Sequence, residues 1–537
     1  MEDPTAMPLS AHNRRETIDV DEDKIESGNG TPAARDDGAA KTGQQHSEDD
    51  IPLYMTFSPA HEFVFVCLLC CTQLLTQAAL GQTLVPLHII GESLGTSDPA
   101  QLSWMAAAYS LTVGTFVLPA GRLGDMLGPK TMVVIGWSWF GLFSTLVGLS
   151  VYAAKGNAAV IMFCVSQGIR GIGPAILLPN ALAICGRSYP NGRRKDVVFA
   201  LFAMTAPSGF WIGGIFASIF SQFAWWPWSF WSMGITATGL AFGAYFVIPD
   251  EKEAHNHGQK FDYIGTFLGV SGLVLFNFAW NQATVVTWAS AYVCVLLIVG
   301  LLLLVAFVFY QTRISHPLLP IEIFSFGTVS ILVIVGLGWA SFGVFIFYTV
   351  QILETIRTLT PVETCVQLIT LALGGCIAAL STGLSIRHIP APWLLMIAAT
   401  SFMVGNILSA TMGARQTYWA ETFVAFIIIS FGMDISFPAS TLILSDMAPR
   451  NLQGIAASLA NTVINYSVSL GLGVAGTAEL QVDPDSESLL HGYRIALWVA
   501  VGMAGLALLI AACFALYAHN AGLNVTEPRE RKKECSV

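Results

Sequence analysis

The sequence predicts an all-α polytopic membrane protein, and three observations make that prediction. Hydrophobic residues are 54% of the 537 residues and charged residues only 11%, with a mean hydropathy of +0.63, so too little polar surface exists to cover a water-soluble body. Breaking the chain at its charged or Pro/Gly-rich punctuation leaves about fourteen apolar runs of roughly 20 residues, each long enough to cross the hydrocarbon core. Lys and Arg gather in alternate short loops, which is how such chains orient themselves in a bilayer.

Residues 1–58 are rich in Asp, Glu, Ser, Thr and Gly and contain no apolar run, so they are expected to form a disordered cytoplasmic tail. This tail holds most of the net charge of −10, which carries no information about a substrate. It lacks the pattern of a cleavable signal, so the first span is expected to direct insertion. The spans centre on 63–90, 102–120, 131–153, 158–185, 197–221, 227–248, 263–281, 289–310, 327–351, 363–385, 392–412, 419–443, 455–477 and 494–518. Short connectors between them suit antiparallel neighbours in a bundle.

One set of loops carries Arg122, Lys130, Arg187, Arg193, Arg194, Lys195, Lys252, Lys260, Arg313, Arg387 and Arg450, with Arg529, Arg531, Lys532 and Lys533 in the final tail. The other set holds only Lys155, Arg357, Arg415 and Arg494. Both termini are therefore expected in the cytoplasm. The seventh span is the weakest because of Asn277, Asn281 and Gln282; were it not to cross, every later basic loop would face outside, so the charge bias favours an even count.

Cys67, Cys70, Cys71, Cys164, Cys185, Cys294, Cys365, Cys376 and Cys513 lie in or beside apolar runs, unlike the paired loop cysteines of an oxidised scaffold. The cluster Cys67-Leu-Leu-Cys70-Cys71 has no accompanying His or second Cys pair, so no metal is expected. Cys535 stands one residue too close to the end for a prenylation box.

The segment Gly121-Arg122-Leu123-Gly124-Asp125-Met126-Leu127-Gly128-Pro129-Lys130 is a charged turn between two apolar stretches, and its charges place it at the water interface. Its glycines let helix ends approach, and Asp125 lies where it can meet the positive N-terminal end of the following helix and latch two halves together. An ordinary interfacial turn is the plainer alternative. The segment resembles the signature loop between the second and third helices of Major Facilitator Superfamily carriers, G-x-L-x-D-x-x-G-x-K in outline. It departs from that pattern at Met126 and Pro129, where basic residues are usual. A degenerate echo, Gly383-Leu-Ser-Ile-Arg387-His388, falls in the corresponding loop of the second half, as duplicated halves imply.

In the fourth span, Gln167-Gly-Ile-Arg170-Gly171-Ile-Gly173-Pro174-Ala175 resembles the family's second motif, R-x-x-Q-G-x-G, with Arg and Gln exchanged. Residues three apart share a helix face, so either order presents the same two groups to one cavity. An Arg at such depth costs roughly 2.5 to 3.5 kcal/mol on insertion scales. The resemblance implies that Arg170 and Gln167 serve proton coupling, by biasing a neighbouring carboxylate or binding an anionic substrate group; snorkelling or pairing with helix carbonyls is the alternative. In the fifth span, Ala206-Pro207-Ser208-Gly209-Phe210-Trp211-Ile-Gly213-Gly214 resembles the antiporter motif of exporting members, G-x-x-x-G-P-x-x-G-G. Ala206 replaces the glycine of its Gly-Pro pair and the Gly pair falls three residues late, so a plain packing surface competes.

Trp225-Trp226-Pro227-Trp228 and Trp231 form an aromatic belt at the outer interface. Phe261-Asp262-Tyr263-Ile264-Gly265 and His316-Pro317-Leu318-Leu319-Pro320 resemble the corresponding segments of fourteen-span exporters. That resemblance implies a six-helix bundle over 59–250, a linker with two additional spans over 251–325, a second six-helix bundle over 326–520 and a cytoplasmic tail over 521–537. The run from Gln77 to Ile89 resembles the first span of fungal aminotriazole-resistance-like proteins and lacks the Asp common in bacterial relatives.

Asp434, flanked by Gly432 and Pro438, is the one carboxylate these boundaries place well inside a late span, and hence the candidate proton carrier. Gln73, Gln77, Asn180, Asn277, Asn281, Asn461 and Asn465 are candidates for cavity lining or interhelical bonds. The resemblance, over roughly residues 60 to 520, implies a fourteen-span drug:proton antiporter that exports small organic molecules such as drugs, toxins or fungal secondary metabolites. Export of a small inorganic species such as borate, or import, is the alternative. Expected partners are a small-molecule substrate, protons and the lipid bilayer, with no nucleic acid, no cofactor and a monomeric state. The plasma membrane is the expected location, the vacuolar membrane the alternative. No Walker lysine motif is present for ATP. A membrane enzyme would show a His cluster, a Cys with a base or paired interfacial carboxylates, and a receptor would need no paired bundles.

Overall fold

The computed structural model describes residues 57–190, 192–249, 260–385, 388–449, 452–482 and 488–520. Most of both expected tails lies outside these residues, as do Lys252, Arg387 and Arg450. The described residues fold into fifteen α-helices. In order these are α1 (Pro59–Leu84), α2 (Leu87–Leu94), α3 (Pro99–Leu127), α4 (Pro129–Leu149), α5 (Asn157–Ser188), α6 (Arg193–Phe223), α7 (Pro227–Val247), α8 (Tyr263–Val286), α9 (Ala291–Gln311), α10 (Phe326–Gln351), α11 (Pro361–Ser385), α12 (Ala391–Thr411), α13 (Thr422–Met447), α14 (Gln453–Val482) and α15 (Leu489–Asn520). All but α2 are long and apolar enough to cross a membrane, giving fourteen spans.

Two local departures from the sequence reading have clear causes. The run 63–90 is divided between α1 and α2, because Pro86 has no N–H for a continuing helix. The segment 121–130 is not an open turn. It is the last two turns of α3, the single break residue Gly128 and the start of α4. Gly128 adopts φ 88°, which glycine tolerates without steric cost, and Pro129 at the first helical position suits a fixed φ.

The helices sort into two sets of six with a pair between them. In the first set α1 packs on α6, α3 on α5, and α4 on α5 and α7; in the second α12 packs on α13 and α15, α10 on α14 and α15, and α11 on α13. The sets meet along two seams, α3 against α14 and α6 against α11. The inserted helices α8 and α9 pack on each other, and α8 leans on α14 and α3. Helix α9 keeps large side chains such as Leu302, Val305 and Val308 exposed, as an apolar helix facing lipid would. One end of the bundle carries Arg122 and the opposite end carries His88. Of the tryptophans assigned to a belt, Trp225 and Trp228 stand edge-on to Trp231 with centroids 5.4 and 5.2 Å away. Trp226 is instead buried, its indole N–H donating to Ser93 Oγ at 2.9 Å.

Candidate functional site

Arg170 sits in α5 with no exposed surface, held entirely by the first set of helices. Its Nη2 donates to Gln82 Oε1 on α1 at 2.7 Å, and its Nη1 donates to Gln167 Oε1 one turn earlier on α5 at 2.9 Å. Gln167 Nε2 in turn donates to Thr83 Oγ1 at 2.6 Å. The guanidinium also faces the rings of Phe140, Phe230 and Tyr109 at 4.7, 5.2 and 5.9 Å. The sequence reading foresaw a neighbouring carboxylate or an anionic substrate group; none of these partners is a carboxylate, and the buried guanidinium has no open approach. Nor does it snorkel or bond helix carbonyls. Two amides and three rings stabilise the cation instead, and Nε remains without a partner.

Asp434, in α13, lies on the α6–α11 seam. A Cβ on Gly375 of α11 would come within 2.7 Å of Asp434 Oδ2 and 2.6 Å of Pro207 Cβ, so the bare glycine lets α6 and the acid meet over α11. Oδ2 is sealed from solvent and accepts no hydrogen bond. An ionised carboxylate without a donor is costly in such surroundings. The seam continues through Ser208 and Cys376 at 3.4 Å, and through the Trp211 indole, which donates to Cys365 O at 2.9 Å.

The glycines of the α6 motif divide between two jobs. Gly209 and Gly213 press against the carbonyls of Leu74 and Ala78 on α1, contacts no Cβ could share. Gly214 faces Cys365 Sγ of α11, where a Cβ would lie at 3.1 Å. Pro207, buried inside α6, is the motif residue that touches the Asp434 region.

At the Arg122 end, Asp125 does not meet the N-terminus of α4 or bridge the two sets. It pairs with Arg187 of α5 at 3.3 Å, within its own set, and both side chains are roughly half exposed. Arg187 ends α5 close enough to compete successfully for the carboxylate. The cross-set contacts there belong to other residues. Gly121 lies near Ser458 of α14, while Arg122 Nη2 donates at 3.3 Å to Pro317 O in the connection from α9 to α10. Leu118 packs with Leu452, Ile455 and Leu459. Gly124 is covered by the Asn180 amide, and Lys130 Nζ stands over the Tyr245 ring at 5.4 Å.

Three of the proposed cavity residues prove to be interhelical ties. Asn281 Nδ2 donates to Asn277 Oδ1 at 2.8 Å and to Ser469 O at 3.2 Å, and Ser469 Oγ donates to Asn277 Oδ1 at 2.9 Å, joining α8 to α14. Asn180 donates to Ala120 O at 3.4 Å and Ile176 O at 2.7 Å, joining α5 to α3. Asn461 and Asn465 bond carbonyls one turn back and, like Gln73 and Gln77, remain partly exposed. Sequence reasoning missed two acids. Glu354 lies in a π turn, Ile352–Ile356, that extends α10 past the expected boundary at 351, and Glu479 lies in α14 past the expected boundary at 477. The Tyr348 hydroxyl donates to Glu479 Oε2 at 2.6 Å.

Two six-helix sets meeting along paired seams, with ionisable side chains sealed inside, define a membrane transporter rather than an enzyme. Residues 67–382, more than half of the chain, match the Major Facilitator Superfamily, and the chain belongs to that family. It is 48% identical to a low affinity ammonium transporter of Saccharomyces cerevisiae, over 87% of this chain and 91% of the relative. It is 36% identical to the efflux pump terJ of Aspergillus terreus, over 96% and 99%, and 37% identical to the aminotriazole resistance protein of Saccharomyces cerevisiae, over 84% and 83%.

Proposed function

We propose that this transporter is a proton-coupled exporter of small organic molecules. The observation that carries the reading is Asp434, whose unpartnered carboxylate oxygen is enclosed where Pro207 of one set meets Gly375 of the other. Parting the α6–α11 seam would let water reach that acid, so its charge and the conformation of the seam are linked. Residues 59–250 and 326–520 would be the two moving bundles, with 251–325 as a membrane-spanning linker. Arg170 contributes a fixed cation that rigidifies the first bundle, since its partners all lie there. The basic loops support an orientation with the Arg122 end and both termini in the cytoplasm and the His88 end outside, in the plasma membrane or the vacuolar membrane. The efflux pump relative supports export.

A second reading, transport of a small inorganic species, is favoured by the relative named an ammonium transporter at 48% identity. Accumulation assays separate the two. Cells with and without the protein are loaded with a panel of amphipathic organic molecules, ammonium or borate, with and without a protonophore. Lower accumulation of an organic solute, abolished by the protonophore, supports the first reading. An effect confined to ammonium or borate replaces it with the second.

A further inference from the structure

At the His88 end, an apolar seam joins Val85, Leu87 and Ile90 of the first set to Ile352, Leu353 and Leu368 of the second. Four polar atoms are sealed near it, His88 Nε2, Gln351 Nε2, Glu354 Oε1 and Thr364 Oγ1. Glu354 lies beside the Thr364 hydroxyl and His88 beside the Gln351 amide, yet none of the four atoms makes a hydrogen bond of normal geometry. Glu354 occupies the π turn, a distortion that recurs at functional positions in helices.

The charged groups around these two residues are engaged elsewhere. Arg357 donates to Thr422 Oγ1 and Gly413 O, both at 3.0 Å, and faces Glu421. Arg494 donates to Met412 O at 3.0 Å, and Glu363 accepts from Thr360 N at 2.8 Å. Glu479 is bound by Tyr348, and Tyr493 lies beside Thr355 and Glu479. Around α2, Glu92 is exposed, Asp98 accepts from Ala100 N at 3.1 Å, and Lys155 packs beside Gly95. Burial pushes the His88 imidazole below its usual value, with the Gln351 amide opposing. A lone carboxylate in the same seam would meet the same desolvation cost without a cation to offset it.

We propose that His88 and Glu354 form a proton-compensated lock, both uncharged while this seam is shut and both free to ionise when it parts. Opening releases a proton from Glu354 above the ordinary glutamate value of about 4.3 and takes one up at His88 below the ordinary histidine value of about 6.5. Just below about 6.5 the two exchanges oppose each other, and opening depends on pH less than either residue alone would make it. Above about 6.5 only the Glu354 release remains, so opening becomes easier as pH rises.

Single variants unmask opposite slopes. In His88→Gln the open-to-shut ratio falls by up to about tenfold for each unit of acidification from pH 8 to pH 5. In Glu354→Gln it rises by up to about tenfold per unit as pH falls below about 6.5. The test uses the full-length chain in lipid nanodiscs, with native cysteines replaced and spin labels at two exposed residues of this end, Ser97 in the first set and Ala420 in the second. Pulsed electron resonance then reads the populations of short and long distances at each pH, without substrate or gradient. Opposite slopes in the two variants, with a parent response just below about pH 6.5 that is shallower than either, support the lock. Two variants that follow the parent at every pH overturn it. Because no transport is measured, this outcome is separate from the fate of the exporter reading.

Discussion

Gln82 Oε1 receives a hydrogen bond from Arg170 Nη2 at 2.7 Å, tying α1 to α5 through a guanidinium with no surface exposure. A neutral amide thus stands against a buried charge. Hydrogen bonds to charged groups contribute about 1.5 to 3 kcal/mol, and an orphaned partner costs more. Gln82→Leu is therefore expected to destabilise the protein by about 2 kcal/mol or more, whereas Gln82→Glu, which retains an acceptor, is expected to preserve or raise stability. Thermal unfolding of the purified protein checks this. Equal melting temperatures for the two variants would remove the pair from the account.

The two glycine environments in α6 predict unequal tolerance. Gly213→Ala forces a methyl into the Ala78 carbonyl and is expected to cost about 1 to 3 kcal/mol, lowering the yield of folded protein. Gly214→Ala meets a Cys365 sulfur at 3.1 Å that can shift, so its yield stays near the parent level while the seam is crowded. Size-exclusion profiles of both variants decide the point.

The Asn277–Asn281–Ser469 network makes the inserted pair of spans a fixed part of the α3–α14 seam. Asn281→Ala is expected to lower stability by about 1 to 3 kcal/mol, by removing the buried amide that donates to Asn277 Oδ1 on α8 and Ser469 O on α14, with the order of preference among transported solutes unchanged. A change in that order, with stability intact, would place these residues in the substrate path.

The exposed pair Asp125–Arg187 is expected to matter little for stability. With both side chains roughly half exposed, Asp125→Asn should shift unfolding by less than about 1 kcal/mol, an effect that fades in high salt. A larger loss would show that Asp125 has a role beyond this pair.

Much of the fold was legible because long apolar runs are hard to mistake: each of the fourteen expected spans corresponds to an observed helix. Boundaries were less legible. Polar residues within a last helical turn read as loop, which is how Glu354 and Glu479 were passed over and how the helical ends at 121–127 read as a turn. The motif pair Gln167–Arg170 was visible from three-residue spacing, but its partners Gln82 and Thr83 come from another helix, and no spacing rule reports which faces meet. The same reason kept Pro207 and Asp434 apart in the sequence, although Gly375 brings them together. Intramembrane asparagines carry one signature whether they line a cavity or tie helices, and the contacts of Asn180, Asn277 and Asn281 decide for tying.

The central claim is that the Asp434 carboxyl couples protons to solute movement. Parent protein and Asp434→Asn are reconstituted into sealed vesicles, an acid gradient is imposed, and flux of a solute identified in the accumulation assays is followed across a range of pH. The account predicts gradient-driven flux in the parent, and in Asp434→Asn a normally folded protein whose flux no longer responds to the gradient. Full pH dependence retained in Asp434→Asn would contradict it.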